Sequence, residues 1–290
     1  MGIGKTGSFF PKKSGGLLKN IWVPVSGQIA QQRKVETIAN NIANANTAGF
    51  KRDEITFKEH LTAYSQTPDN IDLPRKEWNP DDFYRTQGAE NAFVKVDGTY
   101  TDFQQGALSP TGNKLDIALF GKGLFEVLTP NGVRYTRKGT FGLNKEGEIV
   151  NENGYKLLSK LQPGQNLEAG TINSRVIKIP NQGQISISKE GRVFSPEGEL
   201  ATISVVEFKD HHALRKEGSS LFINNADDNT KRENIATTVN QGYVEGSNVN
   251  AIREMSELIK AHRQFEAIQK AVKTYDSISG KIANDIANLK

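Results

Sequence analysis

The chain has 290 residues, is 36% hydrophobic with a mean hydropathy of −0.54, and contains no cysteine. That length allows two ordinary domains or one domain with extended elements, and the low apolar content leans towards exposed or intermolecular surface. The missing cysteine excludes disulfides and thiolate metal sites. The net charge of +4 resembles a nucleic-acid signal, but 37 basic residues less Lys5, Lys12, Lys13 and Lys19 equal the 33 acidic ones. The body is therefore neutral and shows no basic stripe for phosphate binding.

Residues 1–20, rich in Gly, Ser and Lys, read as a basic flexible extension without the continuous apolar stretch of a cleavable secretory signal. No run of eighteen apolar residues exists to span a membrane. From Ser26 to Asn46 the spacing predicts a helix, with Val25, Gln28, Gln32, Val35, Ala39, Ile42 and Asn46 at alternating steps of three and four. Pro24 leaves the start of that helix open, and Gly49 is read as its C-terminal stop. Residues 66–92 hold three prolines and much charge, and read as an irregular connector.

From about 93 to 223 the signals are β. Asn131-Gly132 and Asn153-Gly154 predict two-residue hairpins of the type that needs positive φ at both positions. "NKEGEIV" (144–150) and "SKEGRVF" (188–194) echo each other as turn-plus-strand units. The last segment is the most regular. Leu258, Ala261, Phe265, Ile268, Val272, Tyr275, Ser279, Ile282, Ile286 and Leu289 step three and four to the end. Such a heptad seam, with Asn250 as N-cap, predicts a helix over 250–289, on the order of 60 Å long. It calls for another long helix as cover.

Catalytic and cofactor motifs do not assemble. "GIGKTGS" has a G-x-G-x-x-G spacing but no strand before it, and "GKGLF" (121–125) reads as a bulge or tight bend rather than a phosphate loop. His211-His212 beside Asp210 reads as a solvated strand end before it reads as a metal site. No nucleophile–base or carboxylate pair stands out, so no enzyme, metal or cofactor is expected.

Three blocks resemble the flagellar basal-body rod and hook protein family. Residues 21–57 carry a pattern similar to its N-terminal signature in Ala39, Asn40, Asn41, Ala43, Asn44, Thr47, Gly49 and Phe50. Residues 111–158 resemble its middle block and 244–284 its C-terminal signature. "EGSNVNAIREM" and "RQFE" look most like the proximal rod members, with a distal rod or hook subunit as the alternative. Readings from other classes are a secreted β-rich adhesin with a C-terminal coiled coil and a wall-degrading enzyme with rod-like ends.

The resemblance implies an α+β protein whose long N- and C-terminal helices pair as a coiled coil around the filament axis, with a β-rich middle domain outside. The division expected is 1–20 as extension, 21–60 with 245–290 as the helical axial part, 61–95 with 224–244 as connector, and 96–223 as the β domain. It further implies a periplasmic rod subunit exported by the flagellar type III apparatus without a cleaved signal peptide. The implied partners are itself, other rod subunits and basal-body ring components, without nucleic acid or membrane span. The expected assembly contacts on the N-terminal side are Asn40, Asn41, Ile42, Asn44, Asn46, Thr47, Gly49 and Phe50. On the C-terminal side they are Ser247, Asn248, Asn250, Leu258, Phe265, Ile268, Val272, Tyr275, Ile282 and Ile286. The asparagines are expected to fix register between subunits, because a buried amide disfavours every alignment that leaves it unpaired.

Overall fold

The computed structural model describes residues 22–62, 91–161, 169–180, 185–218, 220–226, 228–229, 231–232 and 236–287. The basic extension and most of the proline-bearing connector lie outside them. Two compact units are distinguished. One holds residues up to Ile38, Ile55–Thr99 and Ser256 onward; the other holds Ala39–Glu54 and Tyr100–Met255.

Helix α1 spans Trp22–Ala43. It starts four residues earlier than the spacing indicates. Pro24 fits because it sits in the first turn, where the N–H it lacks has no helical acceptor anyway. The helix ends at Ala43, well before Gly49, in a series of turns where Asn44 donates to the Asn40 carbonyl from its backbone (3.2 Å) and its side chain (2.8 Å). Its buried positions are Ala30, Ile38 and Asn41, whereas Gln32, Ala39 and Asn46 of the expected seam are exposed. The period holds and the phase is shifted.

Strands β1 (Asp53–Thr62) and β2 (Asn91–Thr101) form a two-stranded ribbon, so extended backbone occupies the end of the expected helical segment over 21–60. The β-rich body follows: β3 (Leu108–Pro110), β4 (Ile117–Phe120), β5 (Leu124–Thr129), β6 (Gly132–Thr136), β7 (Phe141–Leu143), β8 (Ile149–Asn151) and β9 (Lys156–Leu157). After the short helix α2 (Ala169–Ser174) come β10 (Ser186–Ile187), β11 (Arg192–Ser195), β12 (Gly198–Thr202), β13 (Val205–Phe208), β14 (Leu214–Glu217), β15 (Leu221–Asn224) and β16 (Lys231–Arg232). The body closes with β17 (Thr238–Gln241) and β18 (Tyr243–Glu245). These two pair antiparallel with β4 and β3, so strands occupy much of the stretch expected to be irregular connector over 224–244.

The main sheet runs β14-β15-β6-β5-β9-β8-β7, with β13 joining the start of β5 and carrying β16. Alternation along β5 divides the interior. Phe125 and Val127 enter a large core with Ile117, Leu119, Phe141, Ile149 and Leu157, while Leu124 enters a second core with Tyr135, Phe208 and Phe222. Both Asn-Gly sites do turn, but not as expected. Register opposes Thr129 to Gly132 across Pro130-Asn131, and among the described residues positive φ falls on the glycines and Ser220 alone. The echoed segments share one turn. Gly147 and Gly191, both with positive φ, donate to the carbonyls of Asn144 and Ser188, three residues back. The turn at Gly154 repeats the pattern on Asn151.

Helix α3 spans Ala251–Ala287, close to the expected 250–289. Asn250 caps it, its Oδ1 accepting from the Arg253 N–H at 3.1 Å.

Candidate functional site

The unit that holds the body gathers an ionic joint from five separated stretches of chain. Glu245, at the end of β18, lies at its centre. Its Oε1 accepts from Lys51 Nζ at 2.7 Å and from the Gly106 N–H at 2.9 Å, and its Oε2 accepts from Arg137 Nε. The Lys51 and Glu245 side chains are each 1% exposed. Arg137 also gathers carbonyls, donating to Leu119 (2.9 Å), Gly121 (2.7 Å) and Gly123. The "GKGLF" glycines thus let the chain wrap a guanidinium. Gly121 has φ +128, where a side chain would be strained.

A second carboxylate, Glu254 in the first turn of α3, accepts from Arg52 Nε at 2.7 Å. Asn41 joins the group. Its amide pairs with both backbone groups of Asp53, donating to O at 2.9 Å and accepting from N–H at 3.0 Å, and its Nδ2 lies 3.4 Å from Glu254 Oε2. Asn248 mirrors it, accepting from the Arg52 N–H at 2.7 Å and donating to the Asp102 carbonyl at 2.9 Å. Lys216 on β14 reaches Asp53 Oδ2 at 2.8 Å and the Lys51 carbonyl at 2.9 Å, with its ammonium 3.7 Å from the Phe50 ring centroid. Burial pushes the Lys51 amine below its ordinary value of 10.5; the Glu245 carboxylate opposes the shift and Arg137 adds to it. Burial lowers Lys216 likewise, against Asp53. The arrangement can do no acid–base work on an outside molecule, since its carboxylates are spent on internal cations. What it can do is lock chain segments together.

The expected assembly residues separate into groups. Asn41, Gly49, Phe50, Asn248 and Asn250 belong to the joint and the helix starts around it. Gly49 has φ +66 and donates its N–H to the Glu245 carbonyl at 2.8 Å; a Cβ there would fall 2.5 Å from the Lys138 nitrogen. Asn44, Thr47 and Ser247 make local bonds: Thr47 Oγ1 donates to Asn44 Oδ1, and Ser247 Oγ accepts from the Val249 N–H. Ile42 is half-buried, and Asn40 and Asn46 face solvent. The amides of Asn41 and Asn248 are thus satisfied inside one chain.

Along α3 the seam is covered at Leu258, Phe265, Ile268 and Val272, with Ala261 fully buried. Near Gly27 the helices approach, since a Cβ added to that glycine would lie 3.8 Å from Ile268 Cδ1. Beyond Val272 the cover thins: Tyr275 and Ile282 are exposed, and the Ile286 side chain lies outside the described residues. The sequence reading missed Lys51, Arg52, Asp53, Arg137, Lys216, Glu245 and Glu254. Charged residues of this kind read as solvated surface, and partners 194 and 213 positions apart leave no local pattern.

His211 Nε2 sits 2.9 Å from the Lys122 carbonyl and its ring packs edge-on against Phe103. Among the described residues no group of three or more His, Cys, Asp or Glu could hold a metal ion, and no helix is long and apolar enough to cross a membrane.

Comparison with known proteins falls on the same segments. A family described as "Flagella basal body rod protein" matches residues 22–51, and "Flagellar hook protein FlgE/F/G D1 domain" matches 118–195. "Flagellar basal body rod FlgEFG protein C-terminal" matches 240–286. The chain is 32% identical to the flagellar basal-body rod protein FlgG of Borreliella burgdorferi, over 93% of this chain and 99% of that one. It is 32% identical to FlgG of Bacillus subtilis over 92% and 99%, and 30% identical to the basal-body rod protein FlgF of Caulobacter vibrioides over 86% and 90%. This agreement sets aside the adhesin reading, because it covers the helical ends and the body alike. With its terminal helices, its β-rich middle and this similarity along nearly its whole length, the chain belongs to the flagellar basal-body rod proteins, a structural family rather than an enzymatic one.

Proposed function

We propose that this rod subunit polymerises helically through its terminal helices, which pair as a coiled coil and order as neighbours pack against them. Carrying the proposal is the thinning cover along α3, half-buried through Val272 and then exposed at Tyr275, Ile278 and Ile282. A helix of 37 residues, about 55 Å long, outruns the packing its own chain supplies. Subunits of this design gain their remaining burial on assembly, a coupled folding-and-binding step. The β-rich body, with its own cores and ionic joint, forms independently of that step and presents a surface for basal-body ring components.

The reading extends to a periplasmic position at the proximal level of the rod, reached by type III export without cleavage of a signal peptide. Its support is the "EGSNVNAIREM" and "RQFE" stretches. Similarity to both FlgG and FlgF chains makes the level along the rod a matter for direct localisation. Gold labelling of the tagged chain in isolated basal bodies is the test, with N-terminal sequencing of the incorporated protein. Label at the inner end of the rod and an unprocessed N-terminus are the expected result. Label at the outer end moves the subunit to the distal level, and absence from basal bodies overturns the assignment to the rod.

A further inference from the structure

The chain passes into or out of the unit that holds the body at four places: between Ile38 and Ala39, Glu54 and Ile55, Thr99 and Tyr100, and Met255 and Ser256. Within three residues of each, on the body side, stands a member of one polar network: Asn41, Asp53, Thr101 and Glu254. Asn41 and Glu254 are 1% exposed, Thr101 is 8% exposed, and the Asp53 side chain is 14% exposed.

Asp53 is the hub. Its backbone pairs with the Asn41 amide, its Oδ1 accepts from Thr101 Oγ1 at 2.9 Å, and its Oδ2 accepts from Lys216 Nζ of β14. Beside it, Arg52 donates its Nε to Glu254, and the Arg52 carbonyl accepts from the Asp102 N–H at 2.8 Å. Glu254 Oε2 also meets the Asn41 amide, and Asn248, just ahead of α3, donates to the Asp102 carbonyl. Each passage of chain is therefore tied to at least two of the others.

A network closed in this way resists partial release. Withdrawing one passage strands buried polar groups on two others, and an unpaired buried group costs more than its bond contributes. The easiest opening is then the release of all four together. We propose that Asn41, Arg52, Asp53, Thr101 and Glu254 form a clamp that opens and closes in one step, a cooperative unit separate from the two apolar cores. Closed, it fixes the last turn of α1, the end of the β1–β2 ribbon and the first turn of α3 at once, and Lys216 ties all of them to the main sheet. The clamp belongs to the single chain and does not depend on the reading of that chain as a polymerising subunit.

Native-state hydrogen exchange of the purified full-length chain, read by mass spectrometry at one pH and temperature, tests it. Among the described residues Thr101 donates its hydroxyl to Asp53 and to no group of α3, so Thr101→Val is the informative variant. Exchange is expected to rise at least about fivefold in all four stretches 40–46, 50–54, 100–104 and 250–255, with β5 and β6 unchanged. The last stretch includes the Glu254 N–H, held by the Asn250 carbonyl at 2.9 Å. Thr101→Ser, which keeps the hydroxyl, is expected to exchange like the wild type. Glu254→Gln, at the other side of the network, is expected to accelerate the same four stretches. Faster exchange confined to the substituted stretch in either disrupting variant, or no change in it, overturns the clamp. Equal acceleration across β5 and β6 also overturns it, because the unit then opens only as a whole. Exchange as fast in Thr101→Ser as in Thr101→Val overturns it as well, since packing rather than the bond was lost.

Discussion

The ionic joint around Glu245 and the far end of α3 represent opposite solutions to burial. In the joint, polar side chains are taken out of water and each finds its partners within the chain: Lys51 and Glu245 are 1% exposed and share four hydrogen bonds or ion pairs with Arg137, Gly106 and Gln104 as their neighbours. At the end of α3, apolar side chains stay in water, with Tyr275 half exposed. The contrast separates what the single chain completes from what it leaves exposed. Charge pairing is directional and needs fixed geometry, so it suits a permanent joint. Apolar stripes are tolerant of small shifts and suit contacts made late.

The largest expected effect comes from unbalancing the joint. Glu245→Leu leaves Lys51 and Arg137 buried without their carboxylate, and the cost is about 3–5 kcal/mol. Chemical denaturation of the purified chain measures it, and a loss under about 1 kcal/mol breaks the comparison. Gly49→Val follows at roughly 2–3 kcal/mol, because a β-branched residue at φ +66 is strained and its Cβ meets the Lys138 backbone. Asn41→Leu is expected to cost about 1–3 kcal/mol by stranding both backbone groups of Asp53, while Asn40→Leu, on an exposed position, stays within about 0.5 kcal/mol. Equal effects at the two positions would show that Asn41 does not act through its intrachain bonds.

The smallest effect is a pH dependence in the body. Hydrogen bonding from Lys156 and Asn144 holds the Glu148 carboxyl below its ordinary 4.5. A carboxylate with a lowered folded pKa contributes stability that is complete above 4.5 and is lost as pH falls through the folded value. Thermal melting between pH 6 and about 2 should therefore show a fall that Glu148→Gln reduces. Parallel curves for the two proteins would mean the pairing carries no linkage.

Much of this arrangement was legible in the sequence, and the illegible parts share a cause. The heptad steps of 258–289 gave α3 and its cap at Asn250 almost to the residue, since a 3.5-residue period is a local property. The phase of α1 was misread because Gln28 and Gln32 fell into a tidy spacing, whereas burial follows Ala30, Ile38 and Asn41. Asn131-Gly132 located a turn, but Asn131 keeps negative φ and the glycine alone supplies the unusual geometry. The strand "TVNQ" (238–241) is short and polar, so alternation had nothing to display. Asn41 was singled out for a contact between subunits, and within the chain its amide meets Asp53 and Glu254: an amide in a helix announces that it needs hydrogen bonds, not where they come from. The acids and bases of the joint were invisible for the same reason, their pairing being set by topology rather than by neighbours in sequence.

The depth of the Lys51–Glu245 pair has a consequence for the conditions the protein withstands. Mobile ions weaken attraction only where they can approach, within a Debye length of about 8 Å at physiological ionic strength, and a pair sealed from solvent offers them no approach. An exposed couple such as Arg33 and Glu36, at 64% and 48%, fades in brine. The sealed Lys51–Glu245 pair is screened far less, so rising salt leaves this fastening nearly as strong while the surface couple weakens.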